Sequence, residues 1–573
     1  MLLAVVARAA DDPYAAEVFA NCASCHQSEA GARGRIPQID VLKSMTSAAI
    51  QKTLDSGIMK TQAAPLSADE RLMPRDVLGN HRGAGEPARR NRKSVSRCDG
   101  LEGPLGIREL GRRPRQYALS IRRLGRPARR GCAAVEARVG VCVSRYVDLR
   151  SQPAVYRGRV FAGGQDGSVY ALDAATGCVH WASSVESQVR SGMAVGEVGG
   201  NLVVFFGASA GHLYALDGTT GKQLWKMRPG EHPAATQTST PVFYKGRPYV
   251  GSASREESLS ISSGYLCCTF RGSESAIDAA TGRVLWKRYM IPEVAKDRPK
   301  NRRGSKVSGP SGAGIWTAAT LDPEHDAVYV VTGDNYSDPP TALSDALVAL
   351  KMSTGEILWS KQYTAKDVNN SSCQLADKVN CPDTEGPDYD FASPAILVSL
   401  PNGHRALLLG QKSAVVFAVD PDRRGQALWQ ARFKVARKPD SNDRMYELDP
   451  DKGGGLFALR ADNGERKWQT PAPGCGGRPN CSAAQSAAIT GIARTVWSGS
   501  EDGHLRAYAT STGKMVWDYD TAREFQTVNG AVGHGGTIDV AGRVVADGML
   551  FSVSGYPARG GTCNVLLAFH IEP

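Results

Sequence analysis

Three residues near the start of the chain, Cys22, Cys25 and His26, belong to the string NCASCH, a Cys-x-x-Cys-His box. Two thiols at this spacing can add across the vinyl groups of a haem, and the adjacent histidine can bind the iron as proximal ligand. Met59 follows an amphipathic segment in a Gly-x-Met string, where a distal methionine ligand is expected. Met45 is the less favoured choice because it lies inside a helical pattern. The spacing therefore predicts a covalently bound haem c.

The elements that must position this haem are expected to be the helices of a small α-helical c-type cytochrome domain, residues 11–72. Residues 1–10 form a short apolar run ending in small residues, which is typical of the last part of a secretory signal that has been truncated. Thirteen cysteines also favour an oxidising compartment. No stretch of the sequence reaches the roughly 20 apolar residues of a membrane span. We therefore expect a protein exported to the periplasm.

The rest of the chain, residues 150–573, is dominated by one repeated pattern of strand, glycine hairpin, alternating strand, Thr-Gly turn and a strand ending in tryptophan. The units lie at 160–181, 203–225, 268–286, 344–359, 413–429, 453–468, 496–517 and 549–573. Sheets that bury their faces only against neighbouring sheets close into a ring. The repeat predicts an all-β fold, an eight-bladed β-propeller in which the tryptophans dock each blade on the next.

A haem box joined to tryptophan-docked blades resembles the quinohaemoprotein alcohol dehydrogenases, which use pyrroloquinoline quinone (PQQ), and within them the polyvinyl-alcohol dehydrogenase branch. The resemblance covers residues 14–72 and 149–573, and its most specific strings are YLCCTFRGS, VVTGDNYSDPPTALSDALVAL, GQKSAVVFAVD and DTAREFQTVNG. It implies a periplasmic dehydrogenase that oxidises secondary alcohols, polymeric ones among them. The implied cofactors are PQQ, haem c and Ca²⁺, and the implied partner is an external electron acceptor.

The resemblance also assigns residues to PQQ. Trp316 matches the floor under the quinone ring, and the adjacent Cys267 and Cys268 match a disulfide ring that covers it. Lys412 matches the cation at the reactive quinone oxygens. Arg190 is assigned, on weaker grounds, to a PQQ carboxylate.

Calcium takes hard oxygen ligands, and the resemblance places Glu256 and Asp334 at the two side-chain ligand positions. Glu257 is a close rival for Glu256, so this choice stays open. Asp345 matches the catalytic base, which removes the alcohol proton while hydride moves to the quinone. This set of acids defines the expected metal and proton-transfer site.

Cysteine counting gives an expected set of disulfides. Two thiols are used by the haem and three lie in the arginine-rich segment described below, which leaves eight. The expected pairs are Cys267–Cys268, Cys373–Cys381, Cys475–Cys481 and, across the ends of the ring, Cys178–Cys563.

The net charge of +12 is concentrated in residues 73–149, which hold 17 Arg and 1 Lys against 7 acidic residues. This segment has no Trp or Phe and no periodicity. An amino-acid sequence that is rich in arginine and poor in lysine is typical of a GC-rich coding sequence read out of frame. We therefore hypothesise two compensating frame changes near residues 73 and 149, and expect a largely disordered segment. A genuine basic loop is the alternative, and a nucleic-acid arm is disfavoured because nothing else in the chain fits it.

Two other functions stay open from the sequence alone. A non-catalytic propeller, like the scaffold of outer-membrane barrel assembly, shares the blade repeat. An inactive relative of the dehydrogenases would also carry it. The haem box, the adjacent cysteines and Lys412 favour the dehydrogenase over a scaffold, because a scaffold needs none of them.

Overall fold

The computed structural model describes residues 135–144, 150–433, 455–476, 481–482, 484–492, 494–528, 532–555 and 564–571. These ranges are built mostly of antiparallel strands and turns, in agreement with the predicted all-β class. Their helices are α1 (Glu256–Leu259) and the short 3-10 turns Pro323–His325, Ser371–Gln374 and Pro421–Arg423. None of these helices has the length or hydrophobicity needed to cross a bilayer.

The first strand, β1 (Val135–Ser144), lies inside the arginine-rich segment. Blade 1 consists of β2 (Ala154–Tyr156), β3 (Arg159–Gly163), β4 (Ser168–Asp173) and β5 (Val179–Ser184). Blade 2 consists of β6 (Ala194–Val198), β7 (Asn201–Gly207), β8 (Leu213–Asp217) and β9 (Gln223–Met227). Blade 3 consists of β10 (Ala235–Thr236), β11 (Val242–Tyr244), β12 (Arg247–Ser254), β13 (Ser273–Ile277) and β14 (Val284–Tyr289).

Two small ribbons precede and flank blade 4. They are formed by β15 (Lys296–Arg298) with β16 (Val307–Gly309), and by β17 (Ser311–Gly312) with β20 (Asn335–Ser337). Blade 4 consists of β18 (Thr320–Asp322), β19 (Ala327–Val331), β21 (Ala346–Lys351) and β22 (Ile357–Gln362). Blade 5 consists of β23 (Ile396–Ser399), β24 (Arg405–Gln411), β25 (Val415–Asp420) and β26 (Gln426–Arg432).

The C-terminal part begins with a hairpin of β27 (Leu456–Leu459) and β28 (Arg466–Thr470). Blade 6 consists of β29 (Thr490–Ile492), β30 (Thr495–Gly499), β31 (His504–Ala509) and β32 (Met515–Asp520), and is followed by the ribbon β33 (Glu524–Gln526) and β34 (Val532–His534). Blade 7 consists of β35 (Val544–Ala546), β36 (Met549–Ser554), β37 (Asn564–Ile571) and the N-terminal β1.

The predicted number of eight blades is wrong. Among the described residues, seven sheets have four or five strands, whereas the unit at 453–468 forms only the two-stranded hairpin β27–β28. The sequence between β26 and this hairpin is rich in charged residues and lacks the apolar alternation of a buried strand. The fold is therefore a seven-bladed β-propeller with a hairpin between blades 5 and 6.

Tryptophan docking between blades is confirmed. Trp181 and Trp225 donate their indole N–H groups to the backbone oxygens of Gly218 and Ala279 in the next blade, at 3.0 and 2.8 Å. Gly221 ends the Thr-Gly turn with φ +73°, and a Cβ there would lie 2.5 Å from the Trp181 ring. This turn needs glycine both for its backbone conformation and for the close approach of the indole.

The ring closes where the two ends of the described chain meet. Strand β1 pairs antiparallel with β37, so the seam contains a strand from within the arginine-rich segment. A core cluster joins Val160 and Leu172 of blade 1 to Phe551, Val553 and Leu566 of blade 7. Apolar packing across the seam therefore continues the packing seen between the other blades.

Three of the expected disulfides are present, namely Cys267–Cys268, Cys373–Cys381 and Cys475–Cys481. Cys178 is a free thiol in the structure, which is contrary to its expected pairing. Cys563 lies outside the described residues, as does the expected cytochrome domain.

Candidate active site

The functional side chains lie at one end of the propeller. Strands β12, β19 and β24 are the second strands of the main sheets of blades 3, 4 and 5, so they run in equivalent directions. Each is followed within three residues by an ionisable side chain, namely Glu257, Asp334 and Lys412. The repeat therefore places one of these three side chains from each of blades 3, 4 and 5 at the same end of the ring.

A cluster of buried carboxylates lies at this end. Oxygen atoms of Asp334, Asp388 and Asp390 all lie within 4.8 Å of one another, and all three residues are buried. Lys412 Nζ donates hydrogen bonds to Asp388 Oδ1 and Asp390 Oδ2, both at 2.7 Å. In the described part of the chain, the hydrogen bonds from Lys412 bring one ammonium group to a cluster of three buried carboxyl groups, so acids outnumber the cation that contacts them.

The excess of acidic groups shifts the pKa values of the residues in the cluster. Burial raises the pKa of Asp334, and the neighbouring Asp390 and Asp388 raise it further. Burial and Asp390 also raise the pKa of Asp388 to about 8. Burial alone would lower the pKa of Lys412, but Asp390 and Asp388 raise it above its usual value. The cluster fits a hard cation, because carboxylate oxygens are preferred calcium ligands and the excess charge is negative.

Glu256, the first choice for a calcium ligand, is occupied elsewhere. Its side chain is fully buried, and its carboxylate accepts hydrogen bonds from the backbone N–H groups of Thr269 at 2.8 Å and Phe270 at 2.7 Å. The Tyr265 hydroxyl donates a third, at 2.9 Å. These contacts hold the loop that carries the adjacent cysteines. The Glu256 carboxylate is therefore engaged in stabilising this loop.

Glu257 is the glutamate that the structure associates with the cluster. Burial, followed by the charge of Asp390, raises the pKa of Glu257 to about 7, and Lys412 lowers it. Glu257 also contributes to the raised pKa of Asp334. Of the two glutamates left open by the sequence, Glu257 therefore shares its electrostatic environment with the expected metal ligand.

Asp345 directly precedes β21 and is completely buried. Neither of its carboxylate oxygens has a hydrogen-bond partner in the described part of the chain. Burial, and then Asp390 and Asp367, raises the pKa of Asp345. Its φ is +48°, a conformation that is uncommon outside glycine and that concentrates at functional sites. An unpartnered buried carboxylate is costly unless a ligand or a proton engages it, which suits a general base.

Trp316 lies between β17 and β18, away from the blade ends, and is partly exposed. Gly333 separates it from the carboxylate cluster. A Cβ on Gly333 would lie 3.4 Å from Trp316 Nε1 and 2.7 Å from Asp390 Oδ1. The indole therefore lies beside the cluster, as expected for an aromatic floor.

The adjacent cysteines are connected to the carboxylate cluster through Tyr336. Cys267 and Cys268 form a buried disulfide that packs with Phe270 and Tyr336. Burial raises the pKa of Tyr336, and Glu257 and Asp334 raise it further. Tyr336 thus contacts the disulfide and lies within electrostatic reach of the carboxylates.

The last of the expected site residues are Arg190 and the four haem residues. Arg190 is exposed and follows Val189, which bridges to Ala208 of blade 2. The haem residues Cys22, Cys25, His26 and Met59 lie outside the described residues, so their roles stay predictions.

Sequence reasoning missed Asp388 and Asp390. Both lie in the string GPDYDF, which leads into blade 5 outside the repeated unit. Asp388 has φ +59°, so the segment is not a regular extended strand, and the spacing of the two aspartates alone does not predict a shared site. Their distance from the tryptophan turns explains why the repeat pattern did not reveal them.

Comparisons with known proteins define the class. Residues 143–379 match the family described as glucose/ethanol/alcohol dehydrogenase, beta-propeller domain (PQQ), and residues 392–571 match outer membrane protein assembly factor BamB. Quinohemoprotein alcohol dehydrogenase ADHIIG of Pseudomonas putida HK5 has the same fold, with a TM-score of 0.57, 17% identity and 76% coverage of both chains. The fold and the family match define a PQQ-dependent alcohol dehydrogenase-like enzyme, for which PQQ is the implied cofactor and an alcohol the implied substrate.

Whole-chain relatives narrow this class. A polyvinylalcohol dehydrogenase of a Pseudomonas species is 31% identical, covering 96% of this chain and 92% of the relative. A second one, from Sphingopyxis sp. strain 113P3, is 30% identical with the same coverage. The chain belongs to the polyvinylalcohol dehydrogenase family.

Proposed function

We propose that this chain oxidises secondary alcohols, including polymeric ones, in the periplasm, using Ca²⁺-bound PQQ and passing electrons through haem c to an external acceptor. The observation that carries the proposal is the buried carboxylate of Asp345, which has no hydrogen-bond partner among the described residues and feels the charges of the carboxylate cluster. The Asp345 backbone N–H donates to the backbone oxygen of Gly333, the residue that lies against Trp316. A scaffold protein gains nothing from such a costly arrangement.

The residues present fit the flat, anionic cofactor. Trp316 would support the ring system, and the Cys267–Cys268 disulfide would cover it. Lys412 would bind the quinone oxygens, and Asp334 with Glu257 would bind the cation. When bound, PQQ accepts hydride from the alcohol carbon, and Ca²⁺ makes its carbonyl more electrophilic.

Asp345 takes the proton of the substrate hydroxyl in this proposal. Burial raises the pKa of Asp345, which makes its ionised form a stronger base than a solvated aspartate, and a bound cation would lower that pKa. Burial keeps bulk water away from the carboxylate, and a substrate hydroxyl that enters the site would meet two oxygens that have no hydrogen-bond partner among the described residues. Arg190 is proposed to bind a carboxylate of PQQ at the exposed side of the site.

The haem and the location rest on sequence. Cys22 and Cys25 are proposed to attach the haem, with His26 and Met59 as iron ligands. The apolar start of the chain and the three disulfides support export to an oxidising compartment.

The test is reconstitution of the purified full-length protein with PQQ and CaCl₂, followed by addition of a secondary alcohol such as 2-propanol. We expect the alcohol to bleach the quinone absorption and to produce the absorption spectrum of reduced haem. Neither change should occur after treatment with a chelator. A control without PQQ shows neither. Quinone that stays oxidised in the presence of alcohol and Ca²⁺ would overturn the proposal.

A further inference from the structure

Asp390 contacts two groups that have different roles in the proposed site. Its Oδ1 accepts the backbone N–H of Asp334 at 2.7 Å, and its Oδ2 accepts Lys412 Nζ at 2.7 Å. Its backbone oxygen also accepts the backbone N–H of Lys412 at 3.0 Å. One buried residue therefore connects the backbone of a proposed metal ligand to both ends of the proposed quinone-binding cation.

The contacts around Asp334 make its position depend on Asp390. The backbone oxygen of Asp334 accepts the N–H of Ala313 at 2.6 Å, while the N–H is held by Asp390. The peptide groups on both sides of Asp334 are thus fixed, which determines where its carboxylate can point. Outer-shell hydrogen bonds of this kind orient metal ligands.

Asp388 provides an internal comparison. It makes the same 2.7 Å contact with Lys412, but its backbone N–H and that of Tyr389 donate to the carboxylate of Asp367 at 3.0 and 2.8 Å. None of these contacts reaches Asp334. The two aspartates therefore have the same side chain and share Lys412, while differing in their connection to the metal ligand.

We propose that Asp390 is a positioning residue that aligns Asp334 for the cation and Lys412 for the quinone, a role that rests on the proposed function. It acts through Asp334 and Lys412, because each of its two carboxylate oxygens already accepts a hydrogen bond from one of them. An asparagine at this position keeps an oxygen acceptor for the Asp334 amide but presents an NH₂ group to Lys412. An alanine removes both contacts.

The test is calorimetric titration of Ca²⁺ alone into the metal-free full-length protein, together with PQQ binding measured by fluorescence quenching. We expect Asp390→Ala to bind Ca²⁺ about tenfold more weakly than Asp388→Ala, although both lose one carboxyl group that contacts Lys412. Asp390→Asn should stay within about threefold of Asp388→Asn for Ca²⁺, while binding PQQ at least about tenfold more weakly than the wild type.

Equal Ca²⁺ affinities of the two alanine variants would overturn the proposal, because the loss of any carboxyl group beside Lys412 would then account for the effect. An Asp390→Asn variant as weak for Ca²⁺ as Asp390→Ala would also overturn it, since Asp390 would then be acting as a ligand. A wild-type protein that binds no Ca²⁺ would instead refute the metal site. Hydrogen exchange at the Asp334 amide then decides the contact: it must accelerate in Asp390→Ala and stay unchanged in Asp388→Ala.

Discussion

Gly333 lies directly against Trp316, since a Cβ built on the glycine would come within 3.4 Å of the indole nitrogen. The same Cβ would lie 2.7 Å from Asp390 Oδ1, and Asp390 is itself held by Asp334 and Lys412. The site therefore has little room to absorb even one methyl group between its proposed aromatic floor and its carboxylate cluster.

Replacing Gly333 by alanine should weaken PQQ binding at least about tenfold, because the Asp390 carboxylate must move to admit the added Cβ. The matched control is Gly410→Ala in β24, where the nearest atom to an added Cβ is Ser393 Oγ at 3.8 Å. PQQ titration of both variants checks this expectation. Equal PQQ affinities of the two variants would show that the site accommodates a methyl group at Gly333, which contradicts this expectation.

Substitution by phenylalanine should affect stability at Trp225 and PQQ binding at Trp316. Trp225→Phe removes the indole hydrogen bond to the backbone oxygen of Ala279 and should lower the free energy of unfolding by about 1–3 kcal/mol. Trp316→Phe should change it by less than about 1 kcal/mol, because the ring is partly exposed, while weakening PQQ binding. Denaturant unfolding and PQQ titration separate these effects. Loss of stability in both variants alike would contradict the distinction between docking and site tryptophans.

Acid should destabilise the fold through His212. Burial, then Lys226 and Arg228, lowers the pKa of His212 from 6.5 to about 4. The unfolded chain therefore takes up a proton below pH 6.5, whereas the folded chain does not until about pH 4. The stability contributed by neutral His212 is complete above pH 6.5 and is lost as the pH falls from 6.5 to 4, by roughly 1–3 kcal/mol.

Denaturant midpoints measured between pH 7 and 4 check this expectation. His212→Gln should flatten the pH dependence in that window, and His404→Gln, at an exposed loop position, should leave it unchanged. A wild-type slope that survives in His212→Gln would assign the acid sensitivity to other groups.

The propeller was predictable because its signals are local and repeated. Alternating strands and the Thr-Gly turn that receives the next indole recur along the chain, as at Gly221 against Trp181. The blade count was not predictable from the final tryptophan alone. Trp468 ends its unit and donates to the backbone oxygen of Thr510 like a blade-end residue, yet only two strands of that unit form in the described chain.

The site was predictable in part for the same reason. Asp334 and Lys412 follow equivalent strands of the repeat, so their common location follows from register. Glu256 and Glu257 could not be separated, because a shift of one residue changes which side chain faces the cluster and which faces the loop of Tyr265. Asp390 was missed because its role depends on contacts with residues distant in sequence, which no local pattern encodes.

The most direct test of the account is the kcat of the PQQ- and Ca²⁺-reconstituted protein with a secondary alcohol, compared between wild type and Asp345→Asn. Asparagine tolerates the positive φ, so the fold and PQQ binding should persist while kcat falls by about 100-fold or more. Asp326→Asn is the matched control, an aspartate with φ +50° in a turn outside the site, and should leave kcat unchanged. An Asp345→Asn variant that binds PQQ and keeps the wild-type kcat would contradict the assignment of Asp345 as the base.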